Sequence, residues 1–230
     1  MYKRQTVIRV TYAKVEHTAE QLLSIARVST GIDIIDNAIQ APLEQLLQSL
    51  NTEAKLSDKG AIGIRKRLLR ILCNRLRMQR DFKQHPEIND IEVSRPVFIT
   101  SAPRTGSTKL HKLLAQSGDF RYLKCWQGQC LSLRTGDRNE AQNERINDSE
   151  EENAFFNEQA PLAKLIHEYS THEPEEDVLL YEHFLYAPYY NSFAYVPSYV
   201  KWYNENRNIE AELNFLRDSL KYLQLSLIHI

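Results

Sequence analysis

The chain lacks several features that would direct it to a membrane, to export or to a disulfide-bonded fold. No apolar stretch approaches the ~20 residues that a membrane-spanning helix needs. The first residues, MYKRQTVIRVTYAKVEHTAE, contain no uninterrupted apolar core, so we expect no secretory signal. Cys73, Cys125 and Cys130 form neither an even disulfide set nor a paired CxxC zinc signature. We therefore expect reduced thiols in a cytoplasmic protein.

The chain also lacks an excess of charge of either sign and is poor in glycine and proline. Its 29 Lys and Arg residues nearly balance its 30 Asp and Glu residues, which gives no whole-chain signal for nucleic acid or an anionic membrane. Seven Gly and eight Pro in 230 residues exclude a low-complexity or fibrous chain. A hydrophobic fraction of 42% is enough for a substantial core in one or two domains.

Helical periodicity dominates the chain before residue 90. Apolar residues recur at helical spacing, for example at Leu43, Leu46 and Leu50, and no substantial strand is expected there. Within this part, the segment IRKRLLRILCNRLRMQR (64–80) predicts an amphipathic helix whose cationic side faces solvent. A nucleic-acid or anionic-lipid surface is the alternative, although no aromatic residues interleave to stack bases.

A strand–turn–helix corner follows at RPVFITSAPRTGSTKLHKLLA (95–115). The apolar run 97–99 suits a strand that is buried on both faces of a parallel sheet. Pro103 ends this run because it has no N–H for the ladder. Helical spacing resumes from Thr108, so the turn lies between a strand and a helix N-terminus.

The turn itself has the chemistry of an anion site. The first N–H groups of a helix have no internal partner, and the helix dipole adds partial positive charge there. Gly106 permits backbone angles and a close approach that other residues resist. Ser107 and Thr108 add hydroxyl donors. Arg104 and Lys109 add full positive charges. A structural turn capped by Ser or Thr is the alternative interpretation.

This turn does not fit the Walker A pattern GxxxxGK[ST]. Counted back from Gly106, the first glycine of that pattern falls at Ser101, and its lysine falls at Ser107. A loop that binds ATP or GTP is therefore disfavoured, although a relative of that corner is not.

The turn instead resembles the 5′-phosphosulfate-binding loop of the sulfotransferase family. That loop usually reads Pro-[Arg/Lys]-[Ser/Thr]-Gly-[Ser/Thr]-[Ser/Thr], and PRTGST (103–108) matches it in order. The preceding NRLRMQRDFKQHPEI and the later PEED resemble the bacterial branch of these enzymes. The resemblance covers most of the chain. Many relatives carry Gly, Leu and Leu where this chain has Ser101, Ala102 and Lys109.

This resemblance implies a fold, a donor and an acceptor. The fold would be α/β with a P-loop-like central parallel sheet, incomplete here, over residues 95–230 and a helical region over residues 1–94. The sulfuryl donor would be PAPS, 3′-phosphoadenosine 5′-phosphosulfate, and the acceptor a hydroxyl of a small molecule, lipid or glycan. Arg104 would offset charge on the leaving group, and neither a metal nor a nucleic acid is expected. The 5′-phosphate would be held by Arg104, Thr105, Gly106, Ser107 and Thr108.

The segment PLAKLIHEYSTHEPEEDVLLYEHFLY (161–186) supplies candidate bases for the acceptor hydroxyl. The bacterial sulfotransferases are similar here, with a His-Glu segment followed by Pro-Glu-Glu at the acceptor site. On that basis His167 and Glu175 are the candidate base or base-orienter, with His172 and Glu176 as alternatives. A solvated helix start is the other interpretation of the acidic residues. A metal site is disfavoured because the two histidines, five apart, miss the HExxH spacing.

The later part of the chain contains a polar segment, an aromatic-rich stretch and an amphipathic segment. The polar segment 134–153 predicts a surface connector or lid. The aromatic-rich stretch 179–203 predicts either a packed core or an acceptor pocket, with the pocket residues drawn from Phe184, Tyr189, Tyr190, Phe193 and Tyr195. The segment 209–227 predicts an amphipathic helix. The apolar ending LQLSLIHI suggests C-terminal truncation, with the site for the 3′-phosphate of PAPS beyond residue 230.

Two other classes of function stay open at this point. One is a nucleotide-binding kinase or NTPase, which would require adenine-nucleotide binding that depends on Mg²⁺. The other is a non-catalytic helical binding module that uses the basic face between Arg65 and Arg80.

Overall fold

The structure is a computed structural model that describes residues 12–34, 36–102 and 104–227. Three helices come first: α1 (Ala19–Thr30), α2 (Asn37–Thr52) and α3 (Asp58–Gln84). The first of them begins at a capping box, in which Thr18 and Gln21 exchange side-chain and backbone hydrogen bonds, and it ends at a left-handed Gly31. The predicted helices before residue 90 are confirmed.

Seven shorter or later helices follow along the chain. They are α4 (Ser107–Gln116), α5 (Cys125–Gln129), α6 (Asn143–Gln159), α7 (Val178–Glu182), α8 (Ala187–Tyr190), α9 (Pro197–Asn206) and α10 (Ile209–Leu227), with 3₁₀ turns at Pro86–Asp90 and Pro161–Leu165. The last of these confirms the predicted amphipathic helix. Within the described ranges, no helix combines the length and the apolar character that a membrane crossing requires.

The larger hydrophobic core joins α1, α2 and α3 to α8 and α9. Leu22, Leu43 and Leu72 pack in it together with Tyr190 and Tyr199, all of which are buried. The aromatic-rich stretch therefore contributes mainly to the core, as the packed-core interpretation expected. This core contains residues from both sides of residue 94, while the division into two domains at that position stays a prediction.

The predicted central sheet is not confirmed in the described part of the chain. The described residues contain no β-strand, and their β pairing is limited to isolated bridges between Ala13 and Leu56 and between Lys124 and Pro174. In the part of the chain that the structure describes, the predicted strand at 97–99 has no neighbouring strand to pair with. Val97 and Phe98 are accordingly 63% and 58% exposed. A strand needs a hydrogen-bonding partner, and none of the described segments provides one.

The prediction of a solvated cationic face on α3 is wrong. Arg67 and Arg70 both form ion pairs with Glu182 of α7, whose side chain is fully buried. Both arginines also approach Glu152 of α6. The periodicity of a helical segment shows which residues share a face of the helix, but it cannot show that acidic residues distant in sequence cover that face.

The predicted connector at 134–153 is also largely wrong, because α6 begins at Asn143. Some of its polar residues point inward: Ser149 and Asn153 are buried, and both bind the Gln129 side chain, at 2.6 and 2.9 Å. Buried polar side chains are hydrogen-bonded in folded proteins, and these two satisfy that requirement through Gln129. Polar composition alone did not reveal these partners.

All three cysteines are free thiols, as their number predicted. Burial raises the pKa of the Cys125 thiol and of the Cys130 thiol to about 12 in each case. Both are therefore protonated at neutral pH and are poor nucleophiles.

Replacing Glu182 by Gln should lower the free energy of unfolding by roughly 3 kcal/mol, because two inward-facing guanidinium groups lose the buried carboxylate that they share. Glu158→Gln is the matched control, since its pair with Lys59 is exposed (64% and 63%) and should contribute less than about 1 kcal/mol. Chemical denaturation followed by circular dichroism measures both values. Equal, small losses would contradict a stabilising role for the buried ion pairs.

Candidate active site

The loop that precedes α4 has an unusual backbone. Arg104 and Gly106 both lie in the left-handed region, with φ of 66° and 94°. A Cβ added to Gly106 would meet nothing within 4 Å, so the glycine serves the backbone conformation and leaves open space beside it. Arg104 adopts a conformation that non-glycine residues rarely occupy. Pro103 lies outside the described residues.

The N-terminus of α4 is available to an anion. The helix begins at Ser107 without a side-chain cap, and the N–H groups of Thr108 and Lys109 have no acceptor among the described residues. The Thr105 hydroxyl donates to the carbonyl oxygen of Ala102 at 2.8 Å. That bond closes the loop and leaves the backbone N–H of the threonine, rather than its hydroxyl hydrogen, for a ligand.

His167 and Glu175 form a hydrogen-bonded pair. The His167 Nε2 atom lies 3.0 Å from each carboxylate oxygen of Glu175. The glutamate side chain is only 5% exposed, and its carboxylate also accepts a hydrogen bond from the backbone N–H of Glu176 at 2.9 Å. The imidazole is half-buried. The two residues that the family resemblance indicated are therefore in direct contact.

Backbone pairing fixes the position of the glutamate. The N–H of Glu175 donates to Leu123 O at 2.8 Å, and the N–H of Trp126 donates to Thr171 O at 3.1 Å. These bonds hold the stretch before α7 against the segment 123–126, which leads into α5. Main-chain hydrogen bonds thus fix the backbone of Glu175 to a packed part of the molecule, and this places its carboxylate.

The anion loop, which comprises residues 104–106 before α4, meets the His167–Glu175 pair in one place. Arg104 Nη1 donates to the carbonyl oxygen of Ile166 at 2.8 Å, and Ile166 directly precedes His167. A second contact joins Lys112 of α4 to Glu173 at 3.3 Å. The structure therefore brings the loop arginine and both candidate proton-transfer residues together.

The alternative bases lie outside this arrangement. The His172 side chain is 62% exposed, and its nearest acidic group, Glu150, is 3.9 Å away. Glu176 is exposed as well. The helix predicted to start at the acidic residues begins instead at Val178, because the preceding stretch is occupied in backbone pairing. Across the described ranges, no cluster of three or more His, Cys, Asp or Glu residues could hold a metal ion.

The electrostatics of the pair favour a base. The hydrogen bond to Glu175 raises the pKa of His167 above its ordinary value, against the opposing effect of burial. In the neutral tautomer assigned from this bond, Nε2–H donates to the carboxylate. The Nδ1 atom has no hydrogen-bond partner in the described part of the chain and is free to accept a proton.

Sequence reasoning missed the residues that surround the pair. Tyr169 packs against the His167 ring, with ring centroids 4.8 Å apart, and it was not singled out. Its position two residues after the histidine was the one available signal. The contact between Arg104 and Ile166 had no signal in the sequence, because 62 residues separate the two.

Comparisons with known proteins identify relatives. The model of the sulfotransferase family matches residues 96–225. The crystal structure of sulfotransferase STF1 from Mycobacterium tuberculosis H37Rv matches with 25% identity and a TM-score of 0.71, over 93% of this chain and 60% of that one. The structure of sulfotransferase STF9 from Mycobacterium avium matches with 22% identity and a TM-score of 0.71, over 96% and 56% respectively. No curated protein sequence matches significantly.

The His167 pKa should lie above the ordinary value of about 6.5, and Glu175→Gln should lower it, because the charged hydrogen-bond acceptor is lost while burial remains. Titration of the imidazole signals by NMR measures both. Glu176→Gln is the control: it removes a weaker influence and should lower the pKa less. An unchanged pKa in Glu175→Gln would contradict the pairing.

The same pair should make stability depend on pH. A histidine whose pKa is higher in the folded state than in the unfolded state stabilises the fold, and this contribution is fully present below about pH 6.5. That contribution is lost as pH rises through the raised pKa of His167. The difference in unfolding free energy between the parent protein and His167→Ala should therefore shrink as pH rises through that range, as measured by urea denaturation.

Proposed function

Because the chain belongs to the sulfotransferase family, we propose that the protein containing it transfers a sulfuryl group from PAPS to a hydroxyl group on a small molecule, lipid or glycan. The observation that carries this proposal is the contact of Arg104 with Ile166, which sets an anion-binding loop beside the His167–Glu175 pair. The chain spans 60% and 56% of the solved relatives, so the proposal concerns the whole natural protein.

The loop residues fit a phosphate group. At the helix start, the N–H groups of Thr108 and Lys109 have no acceptor among the described residues, and the open space beside Gly106 allows close approach. An arginine has five N–H donors, and Arg104 commits one of its nitrogens to Ile166. Its remaining donors are exposed and available to an oxyanion. When bound, PAPS supplies the activated sulfuryl group and the phosphate that leaves.

In this proposal the chain's own residues move one proton and stabilise one charge. His167 Nδ1 takes the proton of the acceptor hydroxyl. The Nε2–H group meanwhile stays hydrogen-bonded to the carboxylate of Glu175, and this carboxylate stabilises the imidazolium that forms. Arg104 places positive charge at the oxygen of the leaving phosphate. A positioned base contributes roughly 100-fold to 10,000-fold to the rate. No metal is required by this scheme.

The two other functional classes have less support. The loop lacks the Walker A lysine that a kinase or NTPase of the P-loop type would use. A basic binding module would need the α3 arginines at the surface, and Arg67 and Arg70 are occupied by acidic partners. The three free thiols support our proposal of a reducing compartment, the cytoplasm.

Calorimetric titration of the complete natural protein with PAP, the desulfated product, tests the donor. We expect micromolar binding that is independent of Mg²⁺ and about tenfold weaker in Arg104→Ala, because a charge-assisted phosphate contact is lost. Arg217→Ala, at an exposed position on α10, is the matched control and should bind as the parent does. Absence of PAP binding by the folded protein would overturn the proposal.

Replacing His167 by Ala tests the base. Sulfuryl transfer should fall at least about 100-fold, while PAP affinity stays nearly unchanged, since the imidazole acts on the acceptor. The control His172→Ala removes an exposed histidine and should retain activity. Equal losses of transfer and PAP affinity in His167→Ala would mean that the residue is structural.

A further inference from the structure

The imidazole of His167 is held on two sides. Its Nε2 edge faces Glu175, and one side of its ring packs against Tyr169 at a centroid distance of 4.8 Å and an interplanar angle of 59°. Tyr169 is itself packed edge-on against Phe156 of α6, at 5.5 Å. The orientation of the imidazole therefore depends on where the tyrosine ring lies.

A chain of hydrogen bonds fixes that tyrosine ring. The Tyr169 hydroxyl lies 3.2 Å from the hydroxyl of Tyr189, which in turn accepts a hydrogen bond from Arg67 Nη2 at 3.0 Å. An arginine only donates, so the Tyr189 oxygen accepts from Arg67, and the Tyr189 hydroxyl hydrogen remains available for the Tyr169 oxygen. A charged donor also polarises the hydroxyl and strengthens the next bond in the chain.

The far end of this chain is anchored in the buried ion pairs. Arg67 pairs with the fully buried Glu182, and its guanidinium lies 5.4 Å from the Tyr189 ring centroid and 4.8 Å from that of Phe193. Burial raises the pKa of Tyr169 to about 12 and that of Tyr189 well above its ordinary value, so both hydroxyls keep their hydrogens at neutral pH.

We infer that Tyr169 is a positioning residue. Its ring holds the imidazole of His167 against the carboxylate of Glu175, and its hydroxyl is itself held by Arg67 through Tyr189. The inference rests on the proposed function for its catalytic meaning. Its structural content, the link from a buried ion pair to the imidazole, stands on the contacts alone. The link keeps Nδ1 turned toward the side of the ring away from the carboxylate, where an acceptor hydroxyl would need it.

Several other groups face the imidazole and must be held constant in a test. Glu175 and Glu176 lie on the chain after it, Lys112 approaches from α4, and Arg104 binds the carbonyl oxygen of the residue before it. None of these groups bonds to the hydroxyls of Tyr169 or Tyr189. Removing either hydroxyl therefore leaves the charges around the imidazole unchanged.

The variants Tyr169→Phe and Tyr189→Phe, made in the complete natural protein, remove one hydroxyl each and keep the ring. Tyr12→Phe is the matched control, because that tyrosine is 51% exposed and its ring lies beside Lys55, outside the candidate site. The first readout is the His167 pKa measured by NMR. The second is the pH profile of sulfuryl transfer, with kcat and PAP affinity measured separately.

In both variants the His167 pKa should fall, because a less fixed imidazole spends less time bonded to Glu175. The acid limb of the pH profile should move with it, and kcat should fall by up to about 100-fold at unchanged PAP affinity. A purely structural tyrosine would leave the His167 pKa where it is, which would overturn the inference. The NMR titration needs no substrate, so a parent protein without sulfuryl transfer contradicts the proposed function while the titration still decides the positioning role.

Discussion

The carboxylate of Glu182 is the group on which the rest of the structure depends. It has no exposed surface, and it pairs with Arg67 and Arg70 on α3. Charges that are removed from water must be paired, because the loss of one partner leaves an uncompensated charge in the interior. This requirement fixes α7 against the long helix α3, and it brings the aromatic stretch after α7 into the larger core.

The candidate active site is built outward from that frame. On one side, Arg67 reaches Tyr189 and through it the ring of Tyr169 beside His167. On the other side, main-chain bonds between the segments 123–126 and 171–175 hold Glu175. The anion loop is less enclosed, since α4 has no buried residue and joins the site through Arg104 and a surface ion pair. The hydrogen-bonded His167–Glu175 pair thus lies next to an exposed helix N-terminus.

Much of the scaffold could be predicted from local pattern, and the partners of its charges could not. Helical spacing predicted α1, α2, α3 and α10, because the apolar residues of an amphipathic helix recur every three to four positions in the sequence. The buried role of the α3 arginines was missed because Glu182 lies 115 residues from Arg67. The sheet prediction rested on the apolar run 97–99, whose strand neighbours are not among the described segments. The PRTGST loop and the His167–Glu175 pair came from family resemblance; that the two meet was visible only in the structure.

The central claim is that the anion loop and the His167–Glu175 pair form one site. The most direct measurement is the His167 pKa with and without saturating PAP, followed by NMR in the parent protein and in Arg104→Ala. An anion bound at the loop stabilises the imidazolium, so PAP should raise this pKa, and the rise should be smaller in the variant at equal saturation if Arg104 positions the phosphate beside the pair. PAP binding that leaves the His167 pKa unchanged in the parent protein would contradict the claim.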